Sequence, residues 1–215
     1  MATRQFDELN NLTSSKTTQK YAIPYEQYFG DMELTEEQID KRINLAKSIE
    51  DVMLFLFTLI AVFQEYETLE ISRQYIYDQA KERYASAISI YGTDDYIEQY
   101  VSDFAITTVD TTINHINDEY YQSGDRAQFI AENEANTILN HSEFEEAVSQ
   151  GYAYKTWRTA RDLKVRETHA LLEGHTIPIE DAFWVGEYLM MYPKDTSLGA
   201  GAEEIVNCRC TIEYK

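Results

Sequence analysis

From Ile39 onward, apolar residues return every three or four positions: Ile39, Ile43, Ala46, Ile49, Met53, Leu56 and Ile60. That period belongs to an α-helix with one apolar stripe. Thr35-Glu-Glu-Gln38 stands just before it with the form of a capping box, a hydroxyl at the N-cap and Gln three residues later. The stripe continues through Tyr66, Ile71, Tyr75, Ala80, Tyr84 and Ile88 to Gly92, a residue suited to a helix C-terminal stop. Nearly 60 residues is too long for one ordinary globular helix, so the pattern predicts two, with a break near Glu65 to Ile71. The run Val52 to Phe63 is 12 residues long and flanked by acids. A membrane span needs about 20 apolar residues, so this run reads as a buried helix or one packed against another chain.

Thr93-Asp94-Asp95 opens a further helix, with acids in its first turn and a stripe from Ile97 to Tyr120. Ser123-Gly124-Asp125 breaks it. The pattern then predicts one helix from about Arg126 to Leu139 and a short one from Ser142 to Gln150, ending at Gly151. After Gly151 the period changes. Tyr152 to Trp157 alternates like a strand, Arg161 to Gly174 looks helical, Thr176 to Ile179 is short and extended, and Ile205 to Tyr214 reads as a closing strand. Residues 1–33 are polar with isolated aromatics, punctuated by Pro24 and Gly30, and read as an extended arm. The expected fold is mainly α with long N-terminal helices and a small α+β C-terminal domain with short antiparallel strands. The expected division is an arm (1–33), a helical region (34–125) and an α+β domain (126–215).

Composition narrows the function. The chain has 18 Lys+Arg against 38 Asp+Glu, a formal net charge of −20. The excess sits in the middle, where residues 61–150 carry 18 acids and 4 bases. A surface this acidic repels nucleic acid and anionic membranes, and favours basic or apolar partners. The polar start has no apolar signal-peptide core, and two cysteines make no disulfide framework, so synthesis in a reducing cytoplasm is expected. The 17 tyrosines suit either protein–protein contact or half-buried helix packing.

Few residues suggest chemistry. Cys208-Arg-Cys210 on a strand would point two thiols to one face. With His169 and His175 they could complete a tetrahedral zinc site; packed thiols or oxidised thiols are the other readings. Asp162, Arg166 and His169 recur at helical spacing and would share a helix face, as a hydrogen-bonded network tying that helix to the closing strand. There is no HExxH, no GxSxG elbow and no phosphate-binding Gly-rich loop. Glu132-Asn-Glu134 and Glu143-Phe-Glu145 have the Glu-x-Glu form used by some ADP-ribosyltransferases, a form expected by chance among so many acids.

Lys155-Thr-Trp157, then Asp162, Arg166, His169, Gly174, Phe183, Pro193 and Asp195, then EIVNCRC from Glu204 to Cys210, resemble the head-morphogenesis domain of tailed phages, the Mu F-like minor head proteins. Ala131 to Asn140 is similar to that family's preceding helix. The family's Arg-Thr-Glu cluster is here replaced around Glu132-Asn133-Glu134, without the Arg. The chain stops five residues after Cys210, so no C-terminal effector domain is expected. The resemblance implies a non-enzymatic minor capsid protein, made in the host cytoplasm and placed in the virion. It would associate with the portal protein, and with the major capsid protein, in multiple copies around the portal, and in some members leave with the DNA. Asp162, Arg166, His169, Asn207 and Trp157 would form a structural network; His169, His175, Cys208 and Cys210 would be the ligands if zinc is bound. The competing functions are an ADP-ribosyltransferase-like effector and an assembly chaperone absent from the mature particle.

Overall fold

A computed structural model describes residues 23–215. Within it the chain is about 60% helical, with a few short antiparallel strands near the C-terminus, as the patterning predicts. The helices are α1 (Tyr25–Gly30), α2 (Glu36–Glu65), α3 (Leu69–Ile88), α4 (Asp95–Asn114) and α5 (Gly124–Gln150). A 3-10 turn at Glu119–Gln122 precedes α5. The C-terminal part adds β1 (Tyr154–Arg158), α6 (Glu167–Ala170), β2 (Thr176–Pro178), β3 (Phe183–Val185), β4 (Tyr188–Met190), α7 (Ala202–Ile205) and β5 (Thr211–Tyr214). No helix of the described residues is long and apolar enough to cross a membrane.

The chain forms two compact units. Within the described residues, one comprises Lys47–Ala131; the other joins Ile23–Ala46 to Glu132–Lys215. This partition differs from the expected boundaries at 33 and 125, because the first turns of α2 belong with the C-terminal residues. The extended reading of the arm fails over Tyr25–Gly30, which is helical with Tyr25, Tyr28 and Phe29 buried; its first 22 residues lie outside the described ones.

In the helical unit the apolar stripe does what its spacing demands. Ile49, Met53, Leu56 and Ile60 of α2 are buried, as are Ile76, Ala80, Tyr84 and Ile88 of α3. The apolar run at 52–63 thus lies inside a helix and is largely covered. α2 ends at Glu65 and α3 begins at Leu69, with Glu67 at φ 54 in the turn between them. Asp94 caps α4, accepting the Ile97 amide at 2.9 Å. The tyrosines divide: Tyr84 is buried and stacks on Phe104, whereas Tyr66 is 67% exposed.

The second unit begins with the capping box. The Gln38 amide donates to Thr35 Oγ1 and the Thr35 amide to Gln38 Oε1. The strands form a three-stranded sheet in the order β2-β1-β5 and a β3-β4 hairpin, all antiparallel. β1 sits in the middle, pairing Lys155 with Ile177 on one side and Trp157 with Ile212 on the other. The hairpin was not foreseen. It turns on Gly186-Glu187 with Gly186 at φ 61, the glycine-first pattern of a two-residue turn. Trp157 is fully buried among Phe144, Leu172, Phe183, Val185, Met190, Tyr192 and Ile212.

Three local expectations give way to tertiary partners. α5 is one continuous helix through Asn140-His141-Ser142, where a break was expected. The polar residues there are occupied by other segments: Asn140 Nδ2 donates to the Pro193 and Cys210 carbonyls, and His141 Nδ1 lies 2.8 Å from Tyr192 Oη. The expected helix 161–174 shrinks to Glu167–Ala170, since Arg161 has φ 51 and Asp162 Oδ1 accepts the Lys164 amide in a turn. The closing strand begins only at Thr211; before it, α7 ends and Asn207 turns the chain at φ 59.

Candidate functional site

Cys208 and Cys210 therefore do not lie on a strand, and strand alternation is not what brings their thiols together. The left-handed residue Asn207 starts a tight passage from α7 into β5, and the Cys208 amide donates to the Ile205 carbonyl at 3.1 Å. Both side chains turn into the core, 2% and 3% exposed, and both are free thiols. His169, 1% exposed, comes from α6 and places Nδ1 3.4 Å from each sulfur. His169, Cys208 and Cys210 present donor atoms all within 4.8 Å of one another.

The other imidazole nitrogen is also held. His169 Nε2 lies 2.9 Å from Glu204 Oε2, and Thr168 Oγ1 donates to the same oxygen at 2.9 Å. Glu204 is 7% exposed and stands at the start of EIVNCRC. Its other carboxylate oxygen lies where a Cβ on residue 186 would fall, 2.7 Å from that position, so Gly186 is needed both for its φ and for this approach. Trp157 closes the floor, edge-on to His169 with ring centroids 5.6 Å apart.

Burial and neighbours set the charges. Hydrogen bonding from Cys210 holds the Cys208 thiol well below the ordinary range against its burial, with His169 and Lys194 adding to the effect. The same contact, with burial, pushes Cys210 well above it. Burial pulls His169 toward neutrality, but the bond to Cys208 and the charges of Cys208 and Glu204 raise it overall. Lys194, fully buried, is lowered to about 8 by desolvation. Its ammonium is held by Asn133 Oδ1 and by the Ile205 carbonyl at 3.1 Å. Asn133 Oδ1 also accepts the Asn207 amide at 3.0 Å.

The residues singled out in the sequence are placed unevenly. Asp162, Arg166 and His169 do not share a helix face, because the first two precede α6. All three nevertheless reach the segment 206–210: Asp162 pairs with Arg209, Arg166 donates to the Val206 carbonyl, and His169 meets the thiols. Asn207 acts through its backbone, its exposed residue marking the turn. His175 is the correction. It is exposed and stands outside the thiol cluster; its carbonyl accepts the Trp157 amide at 3.0 Å. Glu204, Lys194, Asn133 and Asn140 carry the arrangement as much as the predicted residues do, and no spacing rule marks them.

This constellation can do two kinds of chemistry. Two thiols and an imidazole nitrogen can ligate a soft or borderline cation. A thiol, an imidazole and a carboxylate in line can also make a nucleophile. The second use needs room for a substrate. The cavity over the thiols, lined in part by Val165, Asn207 and Arg209, measures about 10 Å³, about one water's worth. A larger cleft of about 740 Å³ lies elsewhere in this unit, among Leu34, Gln38, Tyr152, Arg158 and Tyr214.

Helix α5 runs into a small α+β module closed by the Cys-containing segment. Residues 106–213 match the family of phage Mu protein F like proteins, and the chain belongs to that family. That makes it a bacteriophage protein of the head-morphogenesis class. No curated protein and no solved structure matches it.

Proposed function

We propose that the chain is a structural minor head protein that binds the portal during capsid assembly, in several copies, and stays in the virion. The observation that carries this reading is the family match over 106–213, which spans α5 and the whole His169–Cys208–Cys210 module. The state of the acids supports a non-enzymatic role. Glu132 and Glu134 are buried, and Glu143 is tied to Arg42 at 2.8 Å, so neither Glu-x-Glu pair is a free catalytic couple. The formal net charge of −20 suits a protein lodged beside packaged DNA without adhering to it.

The test is co-expression with the portal protein encoded beside it, followed by sizing of the co-purified complex. A stable complex with several copies per portal ring is expected. Clean separation at near-physiological salt would overturn portal binding, and absence of the chain from mature virions would leave an assembly chaperone. NAD turnover by the purified chain would instead establish an ADP-ribosyltransferase.

A further inference from the structure

We propose that His169 Nδ1, Cys208 Sγ and Cys210 Sγ bind one zinc ion, with a water completing the tetrahedron and Glu204 orienting the imidazole. The inference stands apart from portal binding and concerns the isolated chain.

Size is the first argument. In a tetrahedral zinc site, bond lengths of about 2.3 Å to sulfur and about 2.05 Å to nitrogen put nitrogen and sulfur about 3.5 Å apart along each edge. Here both nitrogen–sulfur separations are 3.4 Å. Two edges of a coordination face thus already have metal-site length, and the two sulfurs lie within 4.8 Å of one another. The rest of the module fixes them there, since each ligand is at least nine-tenths buried.

Orientation is the second. A metal-bound histidine usually gives its remaining N–H to a carboxylate, which fixes the tautomer and raises ligand basicity. Glu204 stands at Nε2 in that role, itself held by Thr168. Nε2 then carries the proton and the Nδ1 lone pair faces the sulfurs.

Satisfaction is the third. A neutral imidazole nitrogen accepts one hydrogen bond. Two buried thiols converge on the one nitrogen, and a single dication would take all three donors as ligands and neutralise two thiolates. The cavity of about 10 Å³ above them, with Asn207 and Arg209 at its edge, leaves a place for the fourth ligand. His175, exposed and outside the cluster, is not that ligand.

The experiment uses the full chain, purified without chelator. Metal content is measured by elemental mass spectrometry. The chain is then stripped, titrated with Zn²⁺ against a chromophoric chelator, and loaded with Co²⁺ for absorption spectroscopy. One zinc per chain is expected, with a thiolate-to-cobalt band and the intense visible bands of tetrahedral Co²⁺. Cys208→Ser and Cys210→Ser should lose the thiolate band stepwise. His175→Gln should bind as the parent does, and Glu204→Gln should weaken zinc about 10- to 100-fold while keeping the cobalt spectrum. Because the cysteine variants could fail to fold, the parent spectrum and the Glu204→Gln and His175→Gln variants decide the matter independently. A folded parent chain with neither stoichiometric zinc nor a thiolate–cobalt band overturns the proposal. Loss of binding in His175→Gln overturns the ligand set.

Discussion

Lys155 should be worth replacing. It occupies the central strand β1 with no exposed surface, and its ammonium has no hydrogen-bond partner among the described residues. It lies 4.9 Å from the Phe144 ring and 5.5 Å from the Phe183 ring. Burial lowers its pKa from 10.5 to about 8, although Asp195, Asp181 and Glu180 pull upward. At about 1.4 kcal/mol per pKa unit, holding that charge inside costs the fold roughly 3 kcal/mol wherever the lysine is protonated in both states. The two ring contacts return about 1 kcal/mol. Lys155→Met keeps the volume and removes the charge, so it should stabilise the chain by about 1–3 kcal/mol at pH 7. For a chain of this size that raises Tm by about 2–10 °C. The pH dependence gives a sharper check. Between pH 8 and 10.5 the unfolded lysine holds a proton that the folded one has released, so the parent gains stability as pH rises through that window. The variant lacks that gain, and its advantage should shrink by roughly 2 kcal/mol between pH 7 and pH 10. Paired urea melts at the two pH values measure both quantities. A Lys155→Met chain less stable than the parent at pH 7, or a difference that ignores pH, would refute the reasoning.

Three further outcomes are expected. Arg42 is fully buried, donating to Asn136, Asn140 and both oxygens of Glu143. Arg42→Met should cost about 3–5 kcal/mol in chemical denaturation, because it strands those acceptors; a cost below about 1 kcal/mol would deny the network its role. Glu173 is raised by burial, but hydrogen bonds from Arg161 and from the Thr159 amide and hydroxyl bring it down to about 2. Its contribution is present above the unfolded value near 4.5 and is lost as pH falls through about 2. Glu173→Gln should therefore cost about 1–2 kcal/mol at pH 7 after solvent screening, and only a small fraction of that at pH 2; an equal cost at both pH values would contradict this. Gly186→Ala should cost about 1–2 kcal/mol, since φ 61 and the Glu204 carboxylate both oppose a Cβ. An unchanged Tm would show that the hairpin tolerates the change.

The legible parts of the fold were those governed by a single period. The α2–α3 stripe, its break near Glu65 and the caps at Thr35 and Asp94 follow from spacing and local hydrogen bonding alone. What was not legible depended on partners distant in sequence. Asn140 and His141 look like helix breakers until Pro193, Cys210 and Tyr192 take up their polar atoms. The Phe183–Met190 hairpin carries a readable signal, Gly186-Glu187 between two apolar triplets, but each triplet is too short to show alternation. At the site, His169, Cys208 and Cys210 could be singled out by residue type. Their meeting depends on the turn at Asn207, whose left-handed backbone no pattern in NCRC announces. Glu204 was one more acid in a chain with 38, and only its position opposite His169 gives it a role.

The second unit has strands of three to five residues, too short for the sheets alone to fix their register. Polar side chains instead join segments that the strands leave independent. Asn133 of α5 holds both Lys194 and the Asn207 turn; Asn140, two turns along, holds both the Pro193 loop and the Cys210 carbonyl. His169 then links α6 to α7 through Glu204 and to the thiol segment. Helix α5 therefore acts as a rail to which two distant loops are fastened, and cutting the chain after it would strand four polar contacts at once, the two of Asn140 fully buried. Each buried contact left unmade costs about 1–3 kcal/mol, a sizeable share of the stability of a small domain. The family match begins at residue 106, within α4, and takes in the whole of α5 together with both sheets. A zinc ion at His169 would join the same scheme at its weakest point, the irregular stretch from Val206 to Cys210 that neither helix nor strand supports.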